Sequence, residues 1–138
     1  RVVALGDIHG DYEKLVQILR HAKIINKKNQ WIAKRTILVQ IGDLMDRGDD
    51  IIKILDLIKK LKKQAPQKNS IVHLLLGNHE IYNLRTNYFF TSSKDLESFG
   101  TLENREKVFS PTGKYGKLIR EEMNVAMNIN DSIFVHAG

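Results

Sequence analysis

Two rhythms of apolar and polar residues alternate along the first half of the chain. Val2 to Leu5, Thr36 to Ile41 and Ile71 to Leu76 are short, nearly continuous apolar runs, the pattern of strands in a parallel sheet covered on both sides. Between them the apolar residues take helical spacing. Tyr12, Leu15, Val16, Leu19 and Ala22 share one face of a helix predicted from Asp11, a good N-cap, to Ala22. Ile51, Ile54, Leu55, Ile58 and Leu61 do the same in a second helix, from Asp50 to Gln64, which Pro66 stops. A βαβαβ core follows, in an α/β domain with a parallel-rich central sheet and flanking helices. Asn26 to Gln30 is a polar turn ahead of the second strand, and Trp31 is expected in the core.

After Glu80 the rhythm changes. From Arg85 to Gly113 the sequence is polar with only a weak helical pattern, long for a connector, and predicts an insertion carrying short helices near the site. A clearer helix is expected from Tyr115 to Met123, so that 85–123 reads as a cap-like helical segment within a single domain spanning 1–138. Val125 to Ile129 and Ile133 to Val135 then flank Asn130-Asp131-Ser132 as a β-hairpin, which delivers His136 at its end.

Each apolar run of the core ends in a glycine followed by a side chain able to hold a metal. These ends are Gly6-Asp7-Ile8-His9-Gly10, Gly42-Asp43-Leu44-Met45-Asp46-Arg47-Gly48 and Gly77-Asn78-His79-Glu80. Asp7, Asp43 and Asn78 lie 36 and 35 residues apart, the length of a strand, a crossover helix and their loops. Ligands bind at the carboxyl ends of strands in an open parallel sheet, so all three clusters converge on one crevice. If the backbone stays extended, Asp7 and His9, two residues apart, share a face and can chelate one ion. Asp43, on the middle strand, is the natural bridging carboxylate, and Asn78 and His136 serve a second ion. Two ions about 3.5 to 4 Å apart can activate a water and hold phosphoryl oxygens for in-line displacement. His79 is then free to act as a general acid, oriented by Asp46, while Arg47 offers a planar donor fork to phosphate. Glu80 is expected to support its turn, Asp49 and Asp50 to begin a helix, and His21 and His73 to be structural.

The chain has no cysteine, which excludes disulfides and thiolate sites and leaves Asp, His, Asn and water as ligands, a choice that suits manganese, iron, zinc or magnesium. No apolar stretch approaches the ~20 residues of a membrane span. The net charge of +6 raises nucleic acid as a partner. Yet Lys53, Lys59, Lys60, Lys62, Lys63 and Lys68 lie on or just after the second helix, where they form its wet face, and no arginine and aromatic interleaving is present to stack bases. No nucleic-acid partner is expected. The chain opens at Arg1 inside an apolar run, so compartment and targeting are not legible.

These segments, with His136-Ala137-Gly138, resemble the phosphoprotein phosphatase family of the calcineurin-like metallophosphoesterases. Gln30-Trp31, Leu38 to Asp43, Asp46 to Asp50 and Gly77 to Glu80 look most like its bacterial-like, Shewanella-like branch. The resemblance implies the calcineurin-like fold and metal ligands at Asp7, His9, Asp43, Asn78 and His136. It also implies Arg47 on phosphate, His79 with Asp46 on the leaving group, and two divalent metal ions as cofactors. The family pattern continues past His-Ala-Gly to a further histidine ligand and a second arginine, so the chain is expected to be the N-terminal part of a longer domain, weak in its second metal. The expected activity is hydrolysis of phosphomonoesters on phosphorylated proteins or peptides, on serine, threonine or tyrosine. A symmetrical dinucleoside polyphosphate hydrolase is the alternative enzyme, and a scaffold or regulatory fragment that retains the fold is the non-enzymatic one.

Overall fold

The computed structural model describes residues 1–137, so Gly138, which closes the His-Ala-Gly segment, lies outside the described residues. β1 (Val2–Leu5), β2 (Ile37–Gln40) and β3 (Ile71–Leu75) pair in parallel in that order, with Val3 opposite Leu38 and Leu38 opposite Val72. Right-handed crossovers between neighbouring strands put both connecting helices on the same face. These are α1 (Tyr12–His21) and α2 (Ile51–Gln64). Leu15, Leu19, Ile54, Leu55 and Ile58 accordingly share one core with Leu38, Val72 and Leu74. Full burial of each such side chain stabilises the fold by about 1.5–3 kcal/mol. The lysines of α2 lie on its outer side, as its apolar spacing requires.

Local chemistry sets the helix ends. The Asp11 carboxylate accepts the Lys14 N–H at 2.8 Å and so satisfies one orphan donor of α1. Asp50 makes no such cap and pairs with Lys53 at 2.6 Å. α2 gives way before Pro66 to a 3₁₀ turn, Ala65–Lys68, which closes on Asn69 at φ 52°. Trp31 is buried and donates its indole N–H to the Ala33 carbonyl at 2.6 Å.

The other face of the sheet carries an antiparallel hairpin, β5 (Ala126–Ile129) and β6 (Ser132–Val135). Asn130 and Asp131 turn it at φ 47° and 61°, left-handed positions that these residue types tolerate. Ile129 buries against Val39 and Leu75. Towards the amino ends of the strands this face is open, and Val2 and Ile71 are 37% and 44% exposed.

Two elements differ from expectation. A helix, α3 (Asn78–Leu84), begins directly at Asn78, where the sequence pattern showed none. The helix expected to reach Met123 ends sooner, after α4 (Ser93–Ser98) and α5 (Leu102–Phe109), as α6 (Lys114–Glu122). Met123 and Asn124 form β4 instead, a fourth parallel strand with Met123 opposite Leu74, because Leu76 donates its N–H to the Asn124 carbonyl at 2.9 Å.

An ion pair lies under α4 and α5. Asp95 and Arg105 are both fully buried, 3.2 Å apart. Burial pushes the Asp95 carboxyl up to about 6, opposed by the Arg105 guanidinium and reinforced by the charge of Asp46. Between its ordinary value of roughly 4 and that raised value, the native chain keeps a proton that the unfolded chain releases. Its contribution to stability therefore falls as pH rises through that window. Urea unfolding from pH 4 to 6.5 should show the decline, and Asp95→Asn should flatten it. An unchanged slope in the variant would mean that another group causes it.

Candidate metal centre

The loops after β1 and β2 are laced together by backbone bonds before any side chain is considered. Ile8 and His9 both donate their N–H groups to the Asp43 carbonyl, at 2.9 and 3.0 Å, and Gly10 donates to Leu44 at 3.0 Å. Glu80, fully buried, ties the second loop to the third. Its Oε2 accepts the N–H of Asp43 and of Gly77, each at 2.8 Å, and its Oε1 accepts that of Leu44 at 2.9 Å. Burial raises the Glu80 carboxyl above its ordinary value, and these three N–H bonds oppose the rise. The loops approach so closely that a Cβ on Gly77 would run into the Asp43 carboxylate.

Asp7 and His9 do meet, though not along an extended backbone. His9 is left-handed at φ 48°, because its N–H and that of Ile8 are both held by the Asp43 carbonyl. Asp43, Asp46 and Arg47 are left-handed too, at 55°, 67° and 66°. Such conformations cost on the order of 1 kcal/mol or more each, and the surrounding bonds must sustain them. The turns bring His9 Nε2 to 3.6 Å from Asp7 Oδ2 and equally close to Asp43 Oδ2.

Two donor groups result, His9 with Asp43 and His79, and Asp7 with Asp43 and His136. The Asp43 carboxylate belongs to both. The ring bonds fit this use. His9 Nδ1 lies 2.9 Å from the Met45 carbonyl and His136 Nδ1 2.9 Å from that of Ile41, so each ring donates there and turns its Nε2 lone pair inward. His136 Nε2 then faces Asn78 Oδ1 at 3.1 Å and Asp43 Oδ2 at 3.3 Å. With Nδ1–H given to the Ile41 carbonyl, a lone pair on Nε2, the amide oxygen and the carboxylate form a donor set that a cation can satisfy. Asn78 is exposed at the start of α3, beside the Asp7, Asp43 and His136 group.

His79 is buried and has a second tie. Its Nδ1 lies 2.8 Å from Asp46 Oδ2, while its Nε2 faces Asp43 Oδ2 at the longer distance of 4.0 Å. Asp46, also fully buried, accepts further bonds from Asn83 Nδ2 at 3.0 Å and Thr91 Oγ1 at 2.7 Å. Those two partners were not foreseen. Asn83 sits one helical turn beyond His79, a relation visible only once α3 is known. Arg47 is exposed and makes no side-chain hydrogen bond among the described residues, which leaves its guanidinium available. Two aromatic side chains flank His79: Tyr82 and Phe90 meet it edge-on at 5.4 and 5.1 Å, and Phe89, 84% exposed, packs in turn on Phe90.

A model of the calcineurin-like phosphoesterases matches residues 1–138. The chain belongs to that family. This calcineurin-like phosphoesterase is 40% identical over 142 aligned residues to Shewanella-like protein phosphatase 1 of Plasmodium berghei, covering all of the chain and 39% of that protein. To Shewanella-like protein phosphatase 2 of Arabidopsis thaliana it is 38% identical, with coverage of 72% of the chain and 25% of the relative. The crystal structure of the cold-active protein-tyrosine phosphatase of a psychrophilic Shewanella species superposes with a TM-score of 0.91 at 30% identity, over 99% of this chain and 41% of that one. The chain thus spans about two fifths or less of these relatives. No described helix is long and apolar enough to cross a membrane.

Proposed function

We propose that the chain carries the metal site of a phosphoprotein phosphatase that hydrolyses phosphomonoesters, and that Asp43, whose carboxylate lies in both donor groups, bridges its two metals. Asp7, His9, Asn78 and His136 complete the two ligand sets. Two divalent ions of the manganese, iron or zinc type would lower the pKa of a water and neutralise phosphoryl charge. Arg47 grips phosphoryl oxygens through paired N–H bonds, and its exposure leaves it free to meet substrate. His79 gives the proton on Nε2 to the departing ester oxygen. Asp46 holds its Nδ1–H and thereby its orientation.

On substrate, the rings of Tyr82 and Phe90 beside the proton donor, with exposed Phe89 on Phe90, favour an aryl leaving group, hence phosphotyrosine. One structural relative is itself named a protein-tyrosine phosphatase. The reading is tested with phosphotyrosine, phosphoserine and phosphothreonine peptides and diadenosine tetraphosphate, assayed with manganese and again with EDTA. Phosphate release is expected from the tyrosyl peptide first and should stop with EDTA. Preferential cleavage of the dinucleotide would overturn it.

A further inference from the structure

Behind the His79–Asp46 pair, a chain of side chains runs to a buried cation that the reaction itself does not use. Arg105 of α5 is wholly enclosed, with its guanidinium over the rings of Tyr88, Phe99 and Phe109 at 4.7, 5.2 and 4.8 Å. Burying a guanidinium is costly unless its donors are used, yet its Nε and Nη1 have no partner among the described residues. Its shortest bond is not to Asp95. Nη2 lies 2.6 Å from Asn83 Oδ1 and 3.2 Å from Asp95 Oδ2.

That bond decides which way Asn83 points. A guanidinium can only donate, so the amide oxygen must face Arg105, and the amide nitrogen must then face the other way. There it donates to Asp46 Oδ2 at 3.0 Å and to the His79 carbonyl at 2.9 Å. Were the amide turned over, its oxygen would meet the Asp46 carboxylate, acceptor against acceptor. With the amide fixed and Thr91 on the other oxygen, Asp46 has one position, and the His79 ring is oriented through it.

We propose that Arg105 is a positioning residue for the leaving-group acid, acting through Asn83 and Asp46 on His79. The inference deepens the phosphatase reading and rests on His79 being its general acid. The rival is a purely structural pair, in which Arg105 and Asp95 do no more than pin α4 to α5. The two differ in what an apolar replacement does, because exchanging a buried ion pair for apolar residues of similar volume is often neutral for stability.

The test uses Arg105→Met combined with Asp95→Leu, which leaves neither charge orphaned, and Arg105→Lys, which keeps a donor-only cation. General acid catalysis matters for a poor leaving group and little for a good one. Positioning therefore predicts that the double variant loses about 10²-fold on an alkyl phosphate and only a few-fold on p-nitrophenyl phosphate. The low-field imidazole N–H proton of His79 should broaden or shift in its NMR spectrum. Arg105→Lys should restore much of both. Equal losses on the two substrates, or no loss with an unmoved His79 proton, would overturn the proposal. Should the parent protein neither hydrolyse these esters nor bind manganese, the phosphatase reading falls instead, and the His79 proton in the variants still decides whether Arg105 holds that ring.

Discussion

The Asp43→Asn protein is expected to fold as the parent does and to lose its response to divalent cations. Asn is the substitution the backbone accepts, because position 43 is left-handed at φ 55° and Asn tolerates that region better than other side chains. It also keeps an acceptor for the His79 N–H, which Asp43 Oδ1 takes at 3.1 Å. What disappears is a charge that faces His9, His79 and His136 together. Outer partners of metal ligands already cost about 10–100-fold in affinity when removed, so a carboxylate shared by both ligand sets should cost more than about 100-fold. In the parent, manganese at a hundred times its dissociation constant should stabilise by about 2.7 kcal/mol. For a domain of this size that raises the midpoint of thermal unfolding by on the order of 10 °C. The variant should start from nearly the same midpoint and show almost none of that rise. An equal rise in both proteins would remove Asp43 from the centre.

The first three strands, the first two helices and the hairpin were legible because each is set by its own residues: apolar period, a capping Asp11, a stop at Pro66, left-handed tolerance at Asn130 and Asp131. The converging strand ends were legible for the same reason, since a parallel sheet has one carboxyl edge. β4 was not, because two residues carry no period and become a strand only by lying beside Leu74 and Leu75. α3 was hidden by its own start, where Asn78 and His79 read as ligands in a loop while the backbone behind them turns helical. The left-handed residues at His9, Asp43, Asp46 and Arg47 gave no glycine signal, since their geometry is imposed by bonds from other loops. Arg105 is the clearest case. In Glu103-Asn104-Arg105-Glu106-Lys107 it looks solvated, and its burial depends on Tyr88, Phe99 and Phe109 closing over it. That concentration of rings in an otherwise polar stretch was the available hint.

Glu80→Ala is expected to be the most destabilising single change at the site, although Glu80 is neither a proposed ligand nor a proposed acid. Among the described residues its carboxylate is the sole side chain bonded to three backbone N–H groups of two different loops, those of Asp43, Leu44 and Gly77. Truncation leaves all three donors in a dry interior, where each unsatisfied group costs about 1–3 kcal/mol. The sum is at least about 3 kcal/mol, a large share of the roughly 5–15 kcal/mol that holds a domain together. Glu80→Gln separates acceptor loss from volume loss. Its amide oxygen can take the place of Oε2, which serves Asp43 and Gly77, but its nitrogen then confronts the Leu44 N–H, donor against donor. One failed bond of three predicts a cost of about 1–3 kcal/mol, between the parent and the alanine variant. Trp31, buried and the one tryptophan of the chain, reports the unfolding by fluorescence in urea. Because Glu80 sets the separation of the Asp43 and Gly77 loops, manganese affinity should fall in the same order, parent above glutamine above alanine. A Glu80→Ala protein within about 1 kcal/mol of the parent would show that water replaces the carboxylate at those amides, and that the His79 N–H bond to the Asp43 carboxylate suffices to hold the two loops.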